Sequence, residues 1–161
     1  MDDHRQVVQR GLYFDELEQD VVYKHAPGRT VTEADNVLFT TLTMNPQSLH
    51  LDAARSERTE FGGRLVNSMY TLATLVGLSV AQLTQGTIVA NLGLSDVCFP
   101  VPVRHGDTLY AETIVEQKRL SGSRPGQGIV QFLHTMRNQH GVVVATARRS
   151  TLMLQSPGSA T

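Results

Sequence analysis

The sequence predicts an α+β domain in which an antiparallel sheet wraps one long central helix, and three observations lead to it. From Arg64 to about Leu83 apolar residues fall on nearly every side of a helix, Leu65, Met69, Leu72, Leu75, Val76 and Val80 among them. A helix apolar all round is a buried one. After Gln85-Gly86 the pattern switches to alternation over four strand-like stretches. The chain has 161 residues, enough for one domain with a sizeable core and too few for two ordinary ones.

The elements follow in chain order. Residues 1–20 show no clear period and are expected to be an N-terminal arm or cover for a single domain over residues 21–155. Val21 to His25 reads as a strand closed by Pro27-Gly28. Thr32 stands three residues before Asp35 and just ahead of Val37, Leu38, Phe39 and Leu42, a capping-box start for a helix reaching about Thr43. Met44 to Phe61 is irregular, with a turn at Asn45-Pro46 and a possible helical turn over Leu51 to Arg55. Gly62-Gly63 serves the backbone turn into the long helix.

Beyond that helix, Thr87 to Phe99 is a strand interrupted at Gly93. Leu109 to Lys118 alternates, with Leu109, Ala111, Thr113 and Val115 on one face. Ser121 to Gly128 is a Gly/Ser/Pro loop, and Ile129–Arg137 and Val142–Leu154 form a hairpin across Asn138 to Gly141. Residues 156–161 read as a disordered tail. One sheet cannot both wrap the helix and cover its far side, so a homodimer or second layer is expected.

Composition removes several functions. Net charge is -1 with no concentrated run of Lys or Arg, which disfavours nucleic-acid binding. The N-terminus is polar and acidic where a signal peptide is basic then apolar. The longest apolar tract is interrupted by Asn67, Ser68, Thr71, Thr74 and Ser79, short of the ~20 apolar residues that span a bilayer. The lone Cys98 forms no internal disulfide and is expected to be a buried, inert thiol. A cytoplasmic protein without membrane attachment is the expectation. Asp107 is expected to fix a turn, and no chemistry is assigned to His105, His134 or His140.

Chemistry concentrates where the first helix ends. Asn45, Pro46 and His50 follow one another in a short segment, succeeded by Phe61-Gly62-Gly63-Arg64-Leu65-Val66-Asn67-Ser68-Met69 at the entry to the long helix. An imidazole near a helix N-terminus stands beside free backbone N–H groups, which suit a developing oxyanion. A histidine in a loop is as readily a hydrogen-bonded structural residue.

These stretches, with Phe99-Pro100-Val101-Pro102-Val103-Arg104-His105-Gly106-Asp107-Thr108-Leu109, resemble the MaoC-like, R-specific enoyl-CoA hydratases of hot-dog fold, over roughly residues 30–154. That family carries Asp-x-Asn-Pro-x-His and a Phe-x-x-x-Ile-Val-His-Gly-Met helix entry. Matched without gaps from Phe39, the resemblance places Asn45 on the catalytic aspartate, His50 on the catalytic histidine, and Ser68 on the glycine whose N–H polarises the thioester carbonyl. Asn45 departs from the family, because an amide is no general base, and Asn67-Ser68 stands for His-Gly. The Asn-x-Gln-x-Leu-His pattern and the loop around Arg124 are similar to the mesaconyl- or itaconyl-CoA subgroup.

The resemblance implies a hydro-lyase acting on a short enoyl-CoA, and the subgroup pattern a branched or dicarboxylic one. It implies no cofactor beyond the CoA of the substrate, no metal, and at least a homodimer. His50 is the expected base, Asn45 the residue orienting the water, and the Ser68 N–H the oxyanion donor. Asn67, Gly63, Arg64 and Arg124 are the expected substrate contacts, Arg64 toward a carboxylate and Arg124 toward CoA phosphates. Two alternatives stand beside this. A hot-dog acyl-CoA thioesterase usually brings a carboxylate from the long helix, and Leu65 to Leu83 contains no Asp or Glu. A non-catalytic acyl-thioester-binding protein would account for Asn45.

Overall fold

The first helix begins where its capping box puts it. In the computed structural model, which describes residues 4–158, α1 spans Glu33–Leu42 and Thr32 accepts from the Asp35 backbone N–H while Asp35 returns the bond. What α1 buries is unexpected: Asn36 and Thr40, one turn apart, are sealed inside, whereas Leu38 and Leu42 stand exposed. Two one-turn helices follow, α2 at Ser48–Leu51 and α3 at Ala53–Ser56, divided at Asp52, whose side chain caps α3 through the Arg55 N–H. His50 therefore lies on a helical turn rather than in a loop.

The long helix, α4, spans Ser68–Leu83 and not Arg64 onward. Residues 64–67 stay outside the helix, with Leu65 N donating to Leu49 O and Val66 N donating to Val103 O, and Asn67 then caps the helix through the Met69 N–H. Nor is α4 enclosed on all sides in the single chain. Thr71, Leu75, Ser79 and Leu83 are buried, while Met69, Ala73, Gly77 and Ala81 form an open stripe at the same four-residue spacing.

The strands are β1 (Val22–Lys24), β2 (Arg29–Thr30), β3 (Ile88–Cys98), β4 (Thr108–Leu120), β5 (Gln127–Arg137) and β6 (Val143–Leu154). All named pairings are antiparallel, in the order β1-β4-β5-β6-β3, with β2 pairing the start of β4. Leu109, Ala111, Thr113 and Val115 face the core as the alternation predicts. Among the described residues β3 pairs only β6, with register shifts that include one at Asn91/Gly93. It leaves Leu92 and Leu94 exposed. Cys98, at its end, is exposed, contrary to the buried thiol expected, because an outermost strand has a neighbour on one side only.

The core is stratified along α4. Leu75 centres one apolar cluster with Val66, Val103, Leu109, Met136 and Val144. Leu83 centres another with Phe14, Leu17, Val115, Phe132 and Met153. Between them runs a polar layer of Ser79, Thr113, His134, Arg149 and Thr151, all buried. Residues 11–17 cover the second cluster. Leu17 is fully buried, Gly11 and Leu12 donate to Gln85 and Leu83 carbonyls, and the Phe14 ring occupies the space a side chain at Gly128 would need. Of the tail, Ser156 is held by the Asp15 carboxylate, so its start is ordered against the N-terminal segment, while residues 159–161 lie outside the described residues. Among the described residues no helix is long and apolar enough to cross a membrane.

Candidate active site

His50 acquires its orientation from a single backbone carbonyl. Its Nδ1 lies 2.9 Å from Leu65 O. A carbonyl only accepts, so Nδ1 carries the proton and, in the neutral ring, Nε2 keeps its lone pair free. His50 lines a concavity of about 300 Å³ together with Leu49, Leu65, Val66, Ser68, Thr71, Phe99, Val101, Pro102, Val103 and Val144. Ser68 is the first residue of α4, and an N–H at that position has no intrahelical acceptor. The same apolar wall thus presents a hydrogen-bond acceptor and the positive end of a 16-residue helix.

The other expected site residues do not join this pair within one chain. Asn45 lines a separate apolar concavity with Thr41, Met44, Pro46 and Leu51, and its Oδ1 accepts from the Gln47 N–H at 3.0 Å. It closes a turn where a water-orienting role was expected. Asn67 is buried, its Oδ1 on the Met69 N–H and its Nδ2 donating to Thr40 Oγ1 at 3.2 Å, so its amide is committed to capping and packing rather than substrate. Arg64 pairs with Glu33, because residues 64–67 run alongside the start of α1. Gly63 packs near Arg104, which donates to Phe61 O. Arg124 sits in the β4–β5 turn, at the opposite end of 13-residue β4 from Val103, about 40 Å away along the strand at ~3.3 Å per residue.

One organising residue escaped the reading of the sequence. Asn36, fully buried on α1, directs Nδ2 toward His50 O (3.2 Å), Leu65 O (3.3 Å) and His105 Nε2 (3.0 Å), and Oδ1 accepts from the Asn67 N–H (2.8 Å). The available signal was Asn36 with Thr40 at i, i+4, a polar pair on a helix face. His105, likewise given no role, must offer Asn36 an unprotonated Nε2. Burial and then the Arg64 charge push its pKa below the ordinary histidine value, against the pull of Glu33.

Comparison with known proteins adds an independent line. The family model described as "MaoC like domain" matches residues 16–138. A mesaconyl-CoA hydratase of Haloarcula marismortui is 27% identical over 154 residues, 95% of this chain and 43% of that protein. The crystal structure of a "Monoamine oxidase regulatory protein" of Archaeoglobus is 29% identical and superposes with a TM-score of 0.82, covering 94% of this chain and 100% of that one. An R-hydratase of Pseudomonas aeruginosa superposes with a TM-score of 0.74 at 26% identity, over 91% of this chain and 88% of that one. The chain spans less than half the length of the curated relatives it matches.

Proposed function

The chain belongs to the MaoC-like family, a hot-dog α+β fold, and from that premise we propose that it adds water to, or removes it from, the double bond of a short enoyl-CoA thioester. The observation that carries this reading is His50, with Nδ1–H on Leu65 O and no partner on Nε2 among the described residues, lining one concavity with Ser68 at the helix start. In the hydration direction His50 Nε2 takes a proton from water as the oxygen bonds to the β-carbon. The electron pair of the double bond moves through the α-carbon onto the thioester oxygen. The Ser68 N–H and the α4 dipole stabilise that enolate oxygen. The imidazolium then returns the same proton to the α-carbon, so water is added and His50 is regenerated.

The acyl group we assign is short and branched or dicarboxylic. Support comes from the modest concavity and from the similarity to a protein named mesaconyl-CoA hydratase. Neither Arg64, paired with Glu33, nor Arg124, at the far end of β4, contributes a cation to the His50 concavity of the same chain.

We also propose a homodimer. The unpaired β3 edge with exposed Leu92 and Leu94, and the open apolar stripe of α4, both offer surface for a second copy.

The test is the absorbance of the conjugated thioester on adding crotonyl-CoA or mesaconyl-CoA, followed with a thiol reagent. Loss of the band without free thiol is the expected result. Release of thiol would make the protein a thioesterase, and no change with either ester would contradict a short-chain hydratase.

A further inference from the structure

We infer that Asn36 is the positioning residue of the site: through one buried amide it holds the carbonyl that orients His50 and the backbone that begins α4. The inference rests on the hydratase reading for its kinetic consequences, but the geometry stands apart from it. Every contact of the amide agrees with a single orientation. Two carbonyls and an imidazole nitrogen face Nδ2, and the Asn67 N–H and the Thr40 hydroxyl donate to Oδ1. Flipping the amide would set the Asn67 N–H against an NH2 group and two carbonyls against an oxygen.

The placement gives the bonds their meaning. Leu65 O accepts from Asn36 Nδ2 and from His50 Nδ1 together, so the atom that selects the imidazole tautomer is itself anchored from α1. His50 is tied a second time through its own carbonyl. On its other side the amide accepts from Asn67 N–H, one residue before Ser68. The base on α2 and the oxyanion donor on α4 thus share one support on a third helix. Two amide protons serve three acceptors, so one is shared. Nearby Thr40 Oγ1 accepts from Asn67 Nδ2 and completes the buried junction. Removing a positioning group of this kind displaces the reacting groups by a fraction of an ångström to an ångström, which costs up to ~100-fold in rate.

The experiment combines kinetics and nitrogen NMR on the full chain. Asn36→Leu keeps the shape and removes both hydrogen-bonding functions. Asn36→Ser leaves room for water and serves where the leucine variant does not fold. Either folded variant should lower kcat ~10–100-fold with KM changed no more than about threefold, and the loss should shrink markedly in a His50→Ala background. Wild-type His50 should show a single Nδ1–H tautomer by its ring 15N shifts, and the variants a mixture. Unchanged kcat and tautomer in a folded variant would overturn the inference, as would an equal loss with and without His50. Failure of both variants to fold would also overturn it, assigning Asn36 to stability alone. If the wild type turns over no enoyl thioester, the functional reading fails by itself, and the tautomer measurement still decides the role of Asn36.

Discussion

Asn45 stands where the resemblance of the sequence to the hydratases places a carboxylate. It accepts a hydrogen bond from the Gln47 N–H in the Pro46 turn that follows α1. An aspartate oxygen accepts that bond equally well, so Asn45→Asp should leave the fold unchanged and hydratase activity within about tenfold. Steady-state rates and a melting curve check this, and a collapse of either would mean the amide NH2 carries a function of its own. The grouping of His50 with Ser68 on one concavity was legible in the sequence because both flank the entry to the long helix. Asn36 was not, because its pairing with Thr40 at i, i+4 reads as a solvated helix face as readily as a buried one. Only the packing of three helix ends around it decides. Arg64 looked available for the same reason in reverse: the neighbour that neutralises it, Glu33, lies 31 residues away in sequence.

At the scale of elements, the long helix was legible in type and in its C-terminal limit, but its start was misplaced by four residues. Apolar periodicity runs through Leu65 and Val66 without a break, yet Leu65 N bonds to Leu49 O on α2 and Val66 N to Val103 O in the β3–β4 connection, and the Asn67 cap decides where helical geometry begins. Asn67→Ala therefore removes a cap, a cost of ~0.5–2 kcal/mol. It also deprives Thr40 Oγ1 of a donor, at about 1 kcal/mol more. Calorimetry should show a fall in Tm of ~3–12 °C at the ~2–4 °C per kcal/mol expected for a chain of this size. A variant melting with the wild type would place the helix start under other control. The strands of β4, β5 and β6 were read closely because a sheet with one face on a core imposes its period on the sequence. The covering role of residues 11–17 follows from Leu17 and Phe14 meeting the α4 end, a contact that no local period announces.

For the whole molecule, the polar layer dividing the core makes stability depend on pH. His25 Nδ1–H donates to Gln82 Oε1, Thr113 links His25 Nε2 to His134 Nδ1, and each bond is 2.7 Å. The chain of bonds leaves His134 Nε2 bare beside the buried Arg149, whose Nη1 has no partner among the described residues. Burial, then the Arg149 charge, lowers the His134 pKa from 6.5 to about 3, and burial lowers that of His25.

A depressed histidine binds its proton in the unfolded chain first. Stability is therefore full above pH 6.5 and is lost progressively as pH falls from 6.5 toward 3. Urea unfolding should show a loss of ~2 kcal/mol from His134 between pH 6.5 and 5. A flat profile over that range would mean His134 protonates inside the fold. Light scattering at micromolar concentration should give twice the chain mass, and a monomeric mass would refute the partner assigned to β3 and α4.

The most direct test of the account compares kcat/KM for His50→Ala and Asn45→Ala on the enoyl-CoA ester that the wild type hydrates fastest. In the proposed mechanism, with no carboxylate at position 45, His50 alone removes the proton from water, so its loss should cost the ~10²–10⁴-fold of a general base while Asn45→Ala stays within about tenfold of wild type. A folded His50→Ala protein with near-full activity would contradict the account, and the base would then have to lie elsewhere in the concavity.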